Sequence, residues 1–349
     1  MQRVSASTNR ANNFDALRLL AAALVIWGHQ YALMGLPVPL IWHNEPGAVG
    51  VVIFFAISGY LVSLSWQSDP HFGRFIMRRI LRIWPGLCAA VLLCAAVIGP
   101  WATTLPLPEY VQHPATRDYL SNLWLQTRYG LPGVFGHNPL PHSVNGPLWT
   151  IPLEVACYLC LAGLGILGLA RWRWSAPIVF SALALAVQWR YSPPSGQPMP
   201  EWSFGLQYGM VFALGATLAA WSNLWKTRRW MATFLLVACL TAVHWWGPQP
   251  FAGQAPLLGV ASLIVLWGTA STPLLRHAGR WGDFSYGLYI YAFPIQQILI
   301  WYFANRLEFG AALLLSLGTT LTLAAASWHL LEKPALTFKP HKPLHPSGR

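Results

Sequence analysis

Ten apolar segments, each close to the length that spans a bilayer, follow one another along the chain at approximately 15–34, 48–66, 80–100, 147–170, 175–190, 205–222, 230–246, 253–271, 284–303 and 311–331. A segment of about 20 apolar residues has one stable solution in hydrocarbon, a helix that satisfies its own backbone. Only 9% of the 349 residues are charged and 55% are hydrophobic, against roughly 25% charged in a soluble domain. The pattern predicts an all-α, polytopic membrane protein of about ten transmembrane helices. The first segment is followed by many others and by no convincing small-x-small cleavage site, so it reads as a span and not as a removed signal peptide.

The loops carry a sidedness. With the N-terminus cytoplasmic, eighteen of the 22 basic residues fall on the cytoplasmic side, and only Arg117, Arg128, Arg190 and Arg306 fall on the other. Cytoplasmic loops concentrate Lys and Arg, so both termini are expected in the cytoplasm. A net charge of +12 scattered between apolar segments forms no basic domain, which argues against nucleic acid. The five cysteines all sit within apolar runs. Cys157 and Cys160 have the C-x-x-C spacing, but on a helix in lipid this reads as packing, and no His/Cys pattern marks a metal site. No internal repeat of the transporter kind is present. The longest loop on the far side, 101–146, is rich in Pro, Gly, His and aromatics and is expected to fold over the membrane domain. Its Trp101, Tyr110, Trp124 and Tyr129 suit either stacking on sugar rings or an interfacial aromatic belt. Residues 1–335 form the expected membrane domain and 336–349 a disordered basic tail.

Polar residues inside the spans carry the chemistry. In the first, "DALRLLAAALVIWGHQY", Arg18 and His29 are eleven residues apart. At 100° per residue they share one face, about 16 Å apart along the axis. Separate snorkelling to the two headgroup layers explains either residue but not their common face. Intramembrane charge normally faces a partner or a cavity. Glu154 enters with the fourth segment and is expected about two turns down, near the depth of His29. A carboxylate there would orient an imidazole and raise its basicity; a purely structural hydrogen bond is the other reading. Ser58 and Gly59 in "FFAISGYL" give a hydroxyl and a point of close approach, or simply small-residue packing. Arg78 and Arg82, four apart at the start of the third helix, either fix topology or form a phosphate site.

These stretches, with "RRILRIWP", "LWTIPLEVACYL", "FSYGLYIYAFPIQQ" and "HLLEKPA", in this order and over nearly the whole chain, resemble the acyltransferase-3 family of integral membrane acyltransferases. The resemblance implies O-acylation, usually O-acetylation, with acetyl-CoA as cytoplasmic donor, no metal, and a bacterial inner-membrane location. It implies as acceptor a glycan such as lipopolysaccharide O-antigen, exopolysaccharide or peptidoglycan, or a hydroxylated small molecule such as a macrolide. It assigns Arg18 and His29 to the family's first-helix pair, Ser58 and Gly59 to its small-residue motif, Arg78 and Arg82 to its basic motif, and Glu154 to its fourth-helix carboxylate. His29 is then the general base, with Arg18, Arg78, Arg82, Ser58 and Gly59 around the donor. Two positions depart from the family: Val155 stands where a second acid is common, and Ala292 where many members have a histidine. The chain is too short for a fused extracytoplasmic esterase-like domain, so it is expected to act alone or with a separate partner. Arg, His and Glu in spans also build proton relays, and a proton-coupled transporter or permease is the alternative reading.

Overall fold

The computed structural model describes residues 12–190, 201–246 and 251–341. Among the described residues the chain is helical, with two isolated β-bridges, Ile41–Asn44 and Thr103–Val134, in its loops. A helix covers each expected segment: α1 Phe14–Leu33, α2 Pro46–Ser68, α3 Phe72–Ala102, α4 Gly146–Ile166, α5 Ser175–Arg190, α6 Glu201–Ala220, α7 Arg229–Trp246, α8 Phe251–Gly268, α9 Ser285–Tyr302 and α10 Phe309–Leu336. Six of them, α1, α2, α3, α4, α6 and α10, are long and apolar enough to cross a membrane. The described parts of α5, α7 and α8 are shorter apolar helices. α9 is less apolar because protein, not lipid, surrounds it: Tyr289, Tyr291, Gln296 and Gln297 are all buried.

α3 begins at Phe72, eight residues before the apolar segment expected at 80, so its arginine-bearing first turns are helical too. It passes Pro85 and a π-helical turn at Cys94–Ile98. α10 likewise contains a π-helical turn, Trp328–Glu332.

α2 is the hub, buried along most of its length and packed on α1, α4, α6 and α8. Helices in lipid associate through close packing of small residues, and that is how α2 is held. A Cβ on Gly50 would meet Val25 of α1 at 2.7 Å, and one on Gly28 of α1 would meet the Gly47 nitrogen at 2.9 Å. Gly59 lies against the backbone of Phe212 on α6, and Gly215 of α6 lies against Ala56 and Tyr60. Gly59 is thus packed against α6, and that close approach is what the structure shows of it.

α1 and α9 run side by side in the same direction: Arg18 reaches Asp283 just before α9, His29 meets Phe293, and Gln296 donates to Gln30 at 2.9 Å. Arg18 and His29 therefore both turn toward α9.

The two ends of the bundle differ. At the arginine-rich end, Asp69 takes Arg74 and Arg78 at 2.5 Å each. The first residues of the expected tail are packed here. The carbonyl of Pro340 accepts from Arg78 at 3.0 and 3.1 Å; residues 342–349 lie outside the described residues. At the other, loop-bearing end, residues 103–145 fold onto the helices. Asn122 ties the loop to itself through Tyr119 and Arg128. Gln297 of α9 donates to the carbonyls of Leu140 and Ser143, and Asn138 donates to Gln297. Asn145 donates to the carbonyl of Ile290 at 2.9 Å.

A candidate active site within the helical bundle

Three chain segments that are remote in sequence bring polar groups to one level of the bundle. Ser58 is on α2, ten residues from its arginine-rich end; Glu154 and Tyr158 are one turn apart on α4; Arg79 and Arg82 are on the first turns of α3. Ser58 donates to Glu154 at 3.1 Å and shares a 2.9 Å hydrogen bond with Tyr158, and Tyr158 also donates to Glu154. A carboxylate in a bundle interior needs such partners, since an unpaired one would be strongly destabilising.

A cavity of about 110 Å³ opens on these groups, and Arg18, Arg79, Arg82, Thr150, Tyr286 and Tyr289 also line it. Its cations are not equivalent. Arg82 is held by Asp283 at 2.6 Å and lies over the Tyr286 ring. Arg18 is shared between Asp15 at 3.4 Å and Asp283 at 3.5 Å. Burial alone would raise the Asp283 carboxyl, but the guanidinium of Arg82, helped by Arg18 and by hydrogen bonds from Ser285, holds it down at about 2. One carboxylate thus serves two arginines. Among the described residues no acid forms an ion pair with Arg79. Its guanidinium lies over the rings of Phe75 and Tyr158 at 5.8 and 5.7 Å, and its Nε is buried without a hydrogen-bond partner.

The cavity does not reach His29. Tyr289 lines it and meets Phe54 edge-on at 5.4 Å; one helical turn further along α9, Phe293 meets the His29 ring at 5.2 Å. The Nδ1 of His29 is buried without a partner. The expected contact between His29 and Glu154 is absent. The reason is the entry of α4, which starts at Gly146 beside Phe293, on the level of His29, with a 3₁₀ turn. Glu154 comes eight residues later, roughly 14 Å deeper at about 2.0 Å per residue in the 3₁₀ turn and about 1.5 Å beyond it. It pairs at the level of Ser58 instead.

Of the residues expected at the site, Arg18, Ser58, Arg82 and Glu154 line the cavity; His29, Gly59 and Arg78 do not. Arg78 is engaged outside the cavity by Asp69 and Pro340. The structure adds Arg79, Tyr158, Asp283 and Tyr289. Tyr158 was within reach of sequence reasoning, since it sits four residues after Glu154 on one helix face. Arg79 was not, because Arg78 and Arg79 are both within a turn of Arg82 and only their distant partners separate them. Ala292, which stands where many members of the resembled family have a histidine, is buried among Ala22, Ile26, Leu288 and Ala324. Among the described residues no group of His, Cys, Asp and Glu is arranged to hold a metal.

Residues 12–330 match the family described as an acyltransferase domain. The chain is 33% identical over 336 residues to an O-acetyl transferase of Shigella phage Sf6, covering 94% of this chain and 97% of that protein. It is 28% identical over 378 residues to nodulation protein 10 of Rhizobium leguminosarum bv. viciae, covering 95% of each. No solved structure matches.

Proposed function

This chain belongs to the acyltransferase-3 family of membrane acyltransferases, and from that premise we propose that it moves an acetyl group from cytoplasmic acetyl-CoA to a hydroxyl of a glycan or similar acceptor on the far side of a bacterial inner membrane. In this reading all ten helices cross the bilayer, and the arginine-rich end faces the cytoplasm, in keeping with the positive-inside rule. The observation that carries it is the line of polar groups along α9. It runs from Arg18, Arg82 and Asp283, through Arg79, Tyr158, Ser58 and Glu154, to Tyr289, and ends beyond Phe293 at His29. A nucleotide thioester has its anionic end and its reactive carbonyl far apart, and such a column suits both.

Arg78, Arg79, Arg82 and Arg18 attract the donor's phosphates at the cytoplasmic mouth, as arginine forks do. The amide-bearing arm passes Glu154, Ser58 and Tyr158, which supply acceptors and donors along the way. His29 removes the proton of the acceptor hydroxyl as its oxygen attacks the thioester carbon. The C–S bond breaks, the ester forms, and the thiolate leaves toward the cytoplasm to be protonated as CoA. Nδ1 is buried and makes no hydrogen bond to the protein, so one imidazole nitrogen is uncommitted and can take that proton once the site opens. Movement of Phe293 away from His29 would open the cavity to the imidazole.

One observation favours a second route. The hydrogen bond from Ser58 to Glu154 gives that serine an adjacent base. Glu154 would take the Ser58 proton and pass it to the leaving CoA thiolate as acetyl moves to Oγ, then take the proton of the acceptor hydroxyl and return it to Oγ as the serine ester is displaced.

Purified protein in liposomes, given acetyl-CoA and a glycan acceptor, is expected to release CoA and acetylate the glycan, and to lose both with His29→Ala. A transporter would release no CoA with any acceptor. Acid-quenched protein carrying acetyl on Ser58 would decide for the second route.

A further inference from the structure

α4 has two working faces. Glu154 and Tyr158 point to the polar cavity; Leu153, Cys157, Cys160 and Leu164 line a second and larger one, about 740 Å³, between α2, α4, α5 and α6. Ligand sites are commonly about 300–1,000 Å³. α6 forms the floor with Gly205, Gly209, Ala213 and Ala216. A Cβ at Gly205 or Gly209 would come no closer than 3.4 and 3.7 Å to the nearest side chain. These small residues therefore make room and do not serve a tight helix contact, unlike Gly215 beside them.

Three features say what the room is for. Ser63 of α2 lines the cavity, is only 4% exposed, and its Oγ has no hydrogen-bond partner. A hydroxyl buried among apolar walls needs an acceptor. At the arginine-rich end the rim carries Arg171 and Arg173, and neither takes part in an ion pair among the described residues. Arg173 is held in place by the ring of Trp221 at 4.2 Å, which leaves its N–H edge available. Among the described residues no Asp or Glu lines the cavity. An occupant must bring an anionic head, an oxygen acceptor just below it, and apolar chains.

We propose that this groove binds one anionic glycerophospholipid of the cytoplasmic leaflet, with its phosphate on Arg171 and Arg173, an ester carbonyl accepting from Ser63, and an acyl chain lying along α6. The ester carbonyl sets this class apart from an isoprenoid phosphate, which offers Ser63 nothing. The inference is independent of the acyl-transfer reading and adds a lipid to the molecule's partners.

Full-length protein in neutral detergent, titrated with phosphatidylglycerol and followed by native mass spectrometry, is expected to retain one such lipid and to retain no phosphatidylcholine under the same conditions. Arg171→Gln and Arg173→Gln should each weaken retention about fivefold, the effect of one basic side chain at an anionic headgroup. Ser63→Ala, which leaves charge and shape nearly unchanged, should also weaken it, and it keeps the test open if the arginine variants fold poorly. Equal retention of the two lipids would overturn the proposal. So would variants that bind as the parent does, or displacement of phosphatidylglycerol by an isoprenoid phosphate at equal concentration.

Discussion

The hydroxyl of Ser58 donates to a carboxylate oxygen of Glu154 at 3.1 Å, tying α2 to α4 in the middle of the bundle. Because Tyr158 bonds the same oxygen, this carboxylate is engaged well away from His29. The two residues must therefore fail differently when changed. His29→Ala is expected to cut acetyl transfer by about 10²–10⁴-fold, the usual size of a general-base contribution, with the donor KM little changed. Glu154→Gln keeps the hydrogen bonds but removes the charge and should alter donor KM as well as kcat. Steady-state kinetics in proteoliposomes separate the two. A His29→Ala protein that turns over like the parent would remove the base.

Neighbouring Ser58 and Gly59 face in different directions, and their variants report this. A Cβ at Gly59 would sit 3.0 Å from the Cα of Phe212, and the backbone there has no flexible tip to yield. Gly59→Ala should lower stability by about 1–3 kcal/mol through overpacking between α2 and α6. The donor KM should stay as it is. A raised KM with unchanged thermal stability would instead turn Gly59 toward the donor.

Acid should weaken the arginine-rich end first. Hydrogen bonds from Arg74 are the main reason the Asp69 carboxyl is held far below its usual range, and Asp283 is held at about 2 against the burial that opposes it. Both folded values lie below the unfolded value of about 3.9, so the stability they supply is full above that pH and is lost as pH falls toward 2. For Asp283 the amount is about 2–3 kcal/mol. Thermal unfolding in detergent should be level from pH 7 to 5 and fall below about pH 4, and Asp283→Asn should blunt that fall.

Much of this was legible in the chain itself, for physical reasons. Each helix that faces lipid has to be apolar along its length, so the segments were visible, and helical spacing alone put Arg18 and His29 on a common face. What hydropathy cannot see is a helix where it carries charge, hence the missed first turns of α3 from Phe72. Depth failed at Glu154 because α4 starts beside Phe293 with a steep 3₁₀ turn that no apolar pattern announces. The choice between Arg78 and Arg79 depends on Asp69, Pro340 and Tyr158, which lie elsewhere in the chain and meet them only after folding.

Lys339 offers a signal for donor binding. Burial, and then the nearby Arg82, Arg79 and Arg78, lower its ammonium to about 8. At pH 8 it is about half protonated. Phosphates arriving among those arginines would favour the charged form, so CoA binding at pH 8 should take up as much as about half a proton. Calorimetry in buffers of different ionisation enthalpy measures this directly, and Lys339→Met should abolish the uptake. Binding with no buffer dependence in the parent protein would place the phosphates elsewhere.

Phe293 packs on His29 one helical turn along α9 from Tyr289, which lines the polar cavity, and its removal tests whether it is the barrier between them. Its ring meets the imidazole at 5.2 Å and also covers Gly146, where an added Cβ would touch it at 2.8 Å. In Phe293→Ala the path from Tyr289 to His29 stands open whether or not an acceptor is present, so water gains access to the thioester. Acetyl-CoA hydrolysis without acceptor should rise several-fold while transfer to acceptor falls, because desolvation of the reacting groups is lost. Phe293→Leu, which keeps bulk at the position, should restore part of the balance and separates gating from simple loss of packing, itself worth about 3–5 kcal/mol for Phe→Ala. The ratio of free acetate to acetylated product is the measurement. An unchanged ratio in a folded Phe293→Ala protein would mean that the barrier to water lies at Phe54 and Tyr289 instead.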